Sequence, residues 1–252
     1  MTELRGTALV TGAARRIGRT LALTAAAAGF DVAVHHRASR ADAEITAADV
    51  RKLGRHASVV AADLSEPQSA ADLIAQATSN LGPITLLVNC ASLFEDDSIE
   101  TLTQATLSAH LATNLVAPVL MAQAFAASLA DDRNGLIVNV IDQRVWRLNP
   151  TFFSYTLSKS ALWTATQTLS QALAPRIRVN AIGPGPTLPS IHQSADQFTN
   201  EAANVLLQHG ASPEEIGHAL AYLIDATSVT GQMIAVDGGQ HLAWRTPDIP
   251  GP

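Results

Sequence analysis

Cysteine is almost absent from the 252 residues: the single Cys90 excludes an internal disulfide and any thiolate-rich metal site, and suits a reducing compartment. Charged residues reach only 15% and aromatic ones 4%, against 47% hydrophobic, so the chain has material for a full core and is not disordered. Basic residues are outnumbered, 16 to 22, for a net charge of −6. No Lys and Arg cluster offers a face for phosphates, which argues against nucleic acid as a partner. Long apolar runs are missing too. The Ala-rich stretch 21–29 is too short and too weakly apolar to span a bilayer, follows Arg15, Arg16 and Arg19, and reads as a buried helix rather than a membrane segment. Residues 1–6 show no basic n-region or cleavage site, so the expectation is a cytoplasmic chain.

Short β-branched runs are present at 7–11, 31–35, 58–61, 84–89, 136–141, 177–182 and 233–236, separated by longer helix-like segments. Such alternation implies a parallel sheet, and runs like Ile84-Thr85-Leu86-Leu87-Val88, apolar on both faces, imply helices on both sides. The expected fold is α/β: one doubly wound, Rossmann-type domain over residues 1–252. Ser212-Pro213-Glu214-Glu215 has the form of a helix start, and Gly29 and Gly54 end earlier helices. Residues 183–212 contain Pro184, Gly185, Pro186 and Pro189 among Ser, Gln and Asn, and read as a loop closing over a site, a lid. Residues 245–252 read as a tail that is ordered only if a neighbouring subunit holds it.

After the first strand comes Thr11-Gly12-Ala13-Ala14-Arg15-Arg16-Ile17-Gly18 and then helix. Backbone N–H groups of such a turn can face a pyrophosphate, with Gly18 allowing close helix–strand packing; alone, the motif is equally a plain strand-to-helix connection. The second strand ends in His36-Arg37-Ala38-Ser39-Arg40, where an NAD enzyme carries an acid for the ribose 2′-OH. Asp31 begins that strand and Asp42 falls in the next helix, so Arg37, Ser39 and Arg40 favour a 2′-phosphate and hence NADP(H). The other reading is a solvated basic turn. His35 and His36, adjacent on a strand, point to opposite faces and do not chelate one metal together.

Asp142 follows the fifth run, and Tyr155 and Lys159 stand four residues apart at the start of a helical stretch. At that spacing an ammonium can stabilise a tyrosinate and draw the phenol pKa from about 10 toward working pH, as acid–base catalysis requires. By itself a Tyr four residues before a Lys is more often a helix-surface contact.

Taken together, these motifs resemble the short-chain dehydrogenase/reductase family over essentially the whole length. Its Tyr-x-x-x-Lys corresponds to Tyr155 and Lys159, its adenine-facing Asp to Asp63 followed by Leu64, its Asn-Asn-Ala-Gly to Asn89-Cys90-Ala91-Ser92, its helix Asn to Asn114 and its Pro-Gly to Pro184-Gly185. The resemblance implies that Tyr155 passes a proton, Lys159 binds the nicotinamide ribose and tunes Tyr155, and Asn114 positions a water in a relay. It implies cofactor contacts from Gly12, Arg15, Arg16, Ile17, Gly18, His36, Arg37, Ser39, Arg40, Asp63, Leu64, Asn89, Ala91 and Ser92, and from Pro184 and Gly185.

Three departures narrow the resemblance: Arg16 replaces the middle Gly of Thr-Gly-x-x-x-Gly-x-Gly, Ser92 replaces a Gly, and Asp142 replaces the usual Ser. They are similar to the pteridine-reductase branch, with its Asn-x-Ala-Ser-x-Phe. That similarity implies an NADPH-dependent reductase of a pterin-like substrate, with Phe94 stacking on the pterin opposite the nicotinamide and Arg16 and Ser92 touching phosphate and substrate. Asp142 would pass protons to ring nitrogens. Trp146 and Phe152 are candidate pocket walls; Trp163 and Cys90 read as packing. Two readings compete: a carbonyl reductase or alcohol dehydrogenase of the same family, and a non-catalytic NADP(H)-binding sensor or scaffold. The helical stretches 103–129 and 152–173 are more apolar than one sheet face needs, and with the resemblance they imply a homotetramer.

Overall fold

Apolar residues alternate between two opposite cores along each central strand, which is why those strands read as unbroken hydrophobic runs. A computed structural model describes residues 5–66, 68–190 and 193–244. In it Ala8, Val10, Val32, Val34, Leu86, Val88 and Val138 pack on one face of the sheet, and Leu9, Ala33, Leu87 and Ile137 on the other. The strands are β1 (Thr7–Val10), β2 (Asp31–His36), β3 (Ala57–Ala61), β4 (Ile84–Asn89), β5 (Gly135–Val140), β6 (Ile177–Pro184) and β7 (Met233–Val236). Among the described residues they form one seven-stranded sheet in the order β3-β2-β1-β4-β5-β6-β7, every pairing parallel. This is the expected doubly wound Rossmann-type sheet, with strand ends shifted by one or two residues from the sequence reading.

Helices α1 (Arg16–Ala27), α2 (Arg40–Lys52) and α8 (Pro213–Asp225) cover the first face. Helices α3 (Ser69–Leu81) and α5 (Ala117–Ser128) cover the second, while α4 (Gln104–Leu111) runs into α5 through a π-helical turn, Ala112–Val116. The π turn has a local cause. Pro118 lacks the N–H that an α-helix would give the carbonyl of Asn114, and the N–H of Ala117 reaches back to Ala112 instead. The run Gln104–Ser128 is long and apolar enough by composition to cross a membrane, yet Ala117, Met121, Ala122 and Phe125 are buried in the second core. Helix α6 (Phe153–Ala172) carries the Tyr155/Lys159 pair.

One sequence expectation needs correction. Residues 183–212 are not loop throughout: Ser194 and Gln197 close a reciprocal capping box, and α7 (Ala195–Ala203) follows. Prolines break only the first part of the segment, and Ser194 with Gln197 is the helix-start signal within it. The expected start at Ser212 is a capping box as well. The expected tail, 245–252, lies outside the described residues, as do Ile191 and His192 within the expected lid.

Candidate active site

Strand order reverses between β1 and β4, and in an open parallel sheet the crevice beyond the strand ends at that point is where ligands bind. A cavity of about 870 Å³ opens there. Its floor is the turn after β1, which contributes Gly12, Arg15, Arg16, Ile17 and Gly18; the β2 end adds His36, Arg37 and Ser39, and the β3 end Asp63 and Leu64. Ala91, Ser92 and Phe94 follow β4, Asp142 follows β5, Pro184 and Gly185 end β6, and α6 brings Phe152, Tyr155 and Lys159.

The glycine turn is shaped by close approach. A Cβ on Gly18 would lie 2.1 Å from the Gly12 carbonyl oxygen, and Gly12 itself has φ +65° with Ala91 backbone 3.0 Å from where its Cβ would be. Helix α1 starts without a side-chain cap and without an acid in its first turn, in contrast to the capping boxes of α4, α7 and α8. Its first amides are thus open to an anion in the cavity. Arg16 holds φ +56°, a left-handed conformation that favours glycine, and its guanidinium donates to the Leu188 carbonyl across the cavity mouth. At the β2 end, His36 Nδ1 is buried without a hydrogen-bond partner, a polar atom that a ligand would satisfy. Asp63 accepts both the N–H and the hydroxyl of Ser65 on Oδ1; these bonds hold its carboxyl below the usual range. An uncapped helix end, an orphan imidazole nitrogen and two arginines suit a dinucleotide with a 2′-phosphate.

At the other end of the cavity, the Tyr155 hydroxyl donates to Asp142 Oδ2 at 3.0 Å. Burial and then the Asp142 charge raise the phenol well above its ordinary pKa, and burial raises the Asp142 carboxyl against the Arg144 amide that donates to Oδ1. Lys159 donates to the Val140 carbonyl at 2.8 Å, its ammonium 5.7 Å from the Tyr155 ring centre, and burial lowers its pKa to about 8. Burial and the Asp142 carboxylate thus both favour the neutral phenol, in which Tyr155 is the donor to Asp142. Phe94 stacks on Phe152 with ring centres 4.3 Å apart and meets Tyr155 edge-on at 4.7 Å. Phe152 at φ +51° turns the chain sharply into α6, and Arg144 lies 5.3 Å over its ring.

Residues 6–200 match the short chain dehydrogenase family. The chain belongs to that family. FolM alternative dihydrofolate reductase 1 from Brucella suis, solved in complex with NADP, is 50% identical, with a TM-score of 0.94 covering 98% of this chain and 99% of that one. A short chain dehydrogenase from Burkholderia cenocepacia, also solved with NADP, is 28% identical with a TM-score of 0.89, covering 96% and 100%. By sequence the chain is also similar to the 3-oxoacyl-[acyl-carrier-protein] reductase FabG of Staphylococcus epidermidis, 28% identical over 240 residues, 93% of this chain and 98% of the relative.

Within this short-chain dehydrogenase, four expected site residues lie outside the cavity lining. Arg40 is exposed as the first residue of α2, one position beyond Ser39, which does line the cavity. Asn89 is buried and donates to Asn139 on β5, so its side chain ties two strands together. Asn114 is also saturated. It accepts from the Leu93 N–H and the Ser92 hydroxyl and donates to the Leu93 carbonyl and to Ser158 Oγ, which pins the β4 end to α6. A water relay has no capacity left on that side chain, whereas its backbone carbonyl lacks an α-helical donor. Trp146 is half-exposed and packs against Trp163 and His241 instead of the cavity. Among the described residues no three His, Cys, Asp or Glu side chains gather to hold a metal. Cys90 lines the cavity, and burial pushes its thiol up to about 11, so it stays protonated.

Sequence reasoning missed His35, which lines the cavity, and the acceptor-rich wall of Gln193, Glu201 and Gln240. Glu201 accepts from both Gln193 and Gln240. The position of His35 at a strand end is a usable signal. Glu201 has none, because α7 and the C-terminal turn meet only in the folded chain.

Proposed function

We propose that this short-chain dehydrogenase is an NADPH-dependent reductase of a pterin-like C=N bond. The observation that carries the reading is the Tyr155–Asp142 hydrogen bond at the cavity wall, an acid where the broad family resemblance expects Ser. Support comes from the stacked Phe94–Phe152 pair beside it, a flat apolar surface for a heteroaromatic ring, and from the half-identical relative named a dihydrofolate reductase. Arg37 and Ser39 would hold the 2′-phosphate, Asp63 the adenine end, and Lys159 and Tyr155 the nicotinamide ribose. NADPH, when bound, supplies the hydride.

The chain supplies the proton. Tyr155, kept neutral by burial and by the neighbouring carboxylate, donates its phenolic proton to the substrate nitrogen as the C=N carbon is reduced. Asp142, its carboxyl raised by burial and within hydrogen-bond reach of the phenol, would then take up a proton from solvent and pass it to the phenolate left by the transfer. Lys159, anchored on Val140 with its ammonium 5.7 Å from the Tyr155 ring centre, would steady the developing phenolate. Arg144, donating to Asn149 and Thr151, holds the loop between Asp142 and Phe152 in one shape. The chain would work as a cytoplasmic homotetramer; exposed Val116 and Leu157, on the apolar helical faces, support the assembly, which light scattering would measure.

Carbonyl reduction is the second reading, favoured by the FabG relative. NADPH oxidation with dihydropterins and with ketones separates the two, using Asp142→Ser as the decisive variant. A pterin reductase loses dihydropterin turnover with that change. Wild type inactive on dihydropterins but efficient on ketones, with Asp142→Ser tolerated, would replace the pterin reading by the carbonyl one.

A further inference from the structure

His35 is the fifth residue of β2, only 1% exposed, and both of its ring nitrogens are engaged. Nδ1 lies 3.1 Å from the backbone nitrogen of Gly12, which donates to it, and Nε2 lies 3.1 Å from the carbonyl oxygen of Ala62. Only the neutral tautomer with its hydrogen on Nε2 serves both, since Nδ1 must accept and Nε2 must donate. The ring therefore bridges two segments that are 50 residues apart in the chain, the glycine turn and the β3 end just before Asp63. Gly12 is wedged from its other side by Ala91, against which a Cβ would lie 3.0 Å away. Backbone bonds run in parallel: Ala13 donates to the His35 carbonyl and Ala62 to that of His36.

We propose that His35 is a positioning residue for the cofactor, a neutral imidazole that sets the spacing between the glycine turn and the Ala62–Asp63 segment. This rests on the cofactor part of the reading above and is independent of the pterin part. Gly12, His35, Ala62 and Asp63 all line the adenosine end of the cavity, so a change in their spacing is a change in the shape of that end. Nδ1 makes no direct contact with cofactor in this arrangement; its work is done through Gly12.

The same geometry makes the brace sensitive to acid. Burial, against the opposing Ala62 bond and Asp63 and with a contribution from His36, lowers the imidazole pKa to about 4. Arg37 on the β2 side, Arg15 and Arg16 on the glycine turn and Cys90 beyond β4 are the other titratable or charged groups lining this end. Once Nδ1 is protonated it faces the Gly12 N–H donor to donor and the bond is lost. Affinity dependent on the brace is thus complete well above the His35 pKa of about 4 and is lost progressively as pH falls toward and through that value.

Calorimetric titration of the full chain with NADP⁺, which tolerates acid, tests this in wild type, His35→Leu and His35→Gln. His35→Leu makes neither bond, and its Kd at neutral pH is expected to rise by about tenfold or more. Gln can accept from Gly12 and donate to Ala62, so His35→Gln should keep the Kd within about threefold. It should also lack the added loss of affinity that wild type shows between about pH 5.5 and pH 4. The 2′-phosphate titrates with both proteins, so only their difference is read; a merely structural role would leave the two profiles alike. His35→Leu binding as tightly as wild type overturns the inference, and so does His35→Gln with the wild-type acid limb. If circular dichroism shows that His35→Leu does not fold, the Gln comparison decides alone. A wild-type chain that takes no NADP⁺ overturns the cofactor reading as well.

Discussion

The Tyr155 hydroxyl donates to Asp142 across 3.0 Å at the cavity wall, and burial together with that carboxylate favours the neutral phenol. Tyr155→Phe keeps the ring against Phe94 but removes the proton donor. Its turnover should fall by about 10²–10⁴-fold, while NADPH affinity, losing one neutral hydrogen bond to the ribose, falls by no more than about tenfold. Stopped-flow reduction and fluorescence titration would check both, and near-wild-type turnover would remove Tyr155 from the mechanism. Lys159 gives a pH dependence. Its ammonium persists below about pH 8 and is lost as pH rises through that value. NADPH affinity should then drop by about tenfold between neutral and strongly alkaline pH, since a hydrogen bond from a charged group contributes about 1.5–3 kcal/mol. A Kd that stays flat to well above the Lys159 pKa would contradict the role given to the ammonium.

At the scale of elements, the position of α6 decides whether Tyr155 and Lys159 reach the cavity. Asp97, buried before α4, accepts from both the N–H and the hydroxyl of Ser154, and its backbone carbonyl accepts from Phe153. A carboxylate on the first turn of a helix also meets the favourable end of its dipole. Asp97→Ala leaves two buried donors without partners, at a cost of about 1–3 kcal/mol each. Thermal unfolding should show a clear loss of stability, smaller for Asp97→Asn, which still offers one acceptor. Turnover should decline with it because Tyr155 directly follows Ser154. An Asp97→Ala protein with wild-type melting and turnover would show that α6 is held by other contacts. The π turn before α5 is a second element-level device: Pro118 leaves the Asn114 carbonyl without its α-helical donor while the Asn114 side chain fastens the β4 end.

For the whole molecule, cofactor and fold should be linked, because the cavity draws its walls from strands on both sides of the reversal in strand order. A ligand that binds only the folded chain stabilises it by about 2.7 kcal/mol at a concentration 100 times its Kd. NADPH should therefore raise the melting temperature more than equal NADH. Arg37→Ala should shrink that difference while leaving the NADH shift alone, as a charge-assisted contact to the 2′-phosphate requires. Equal shifts with both cofactors would remove the 2′-phosphate from the adenosine end.

The sequence alone determined the parallel sheet, because strands buried on both faces need unbroken apolar runs such as 84–88, and helices between them must cross over to pack on those faces. It also determined the glycine turn and the Tyr155/Lys159 spacing, whose geometry is local to a few residues. Only the tertiary structure decided what those groups meet. Burial set the pKa of Tyr155, Asp142 and Lys159, and burial depends on every element around the cavity. Folding likewise turned Trp146 toward Trp163 and His241, saturated Asn114 with Leu93 and Ser158, and placed Glu201 of α7 against Gln240 of the last turn. Between His35 and its two partners lie stretches of 22 and 26 residues, a separation that carries no local pattern. The neutral state of that ring follows from parallel strand pairing, which brings Gly12 and Ala62 to either side of it in a dry interior.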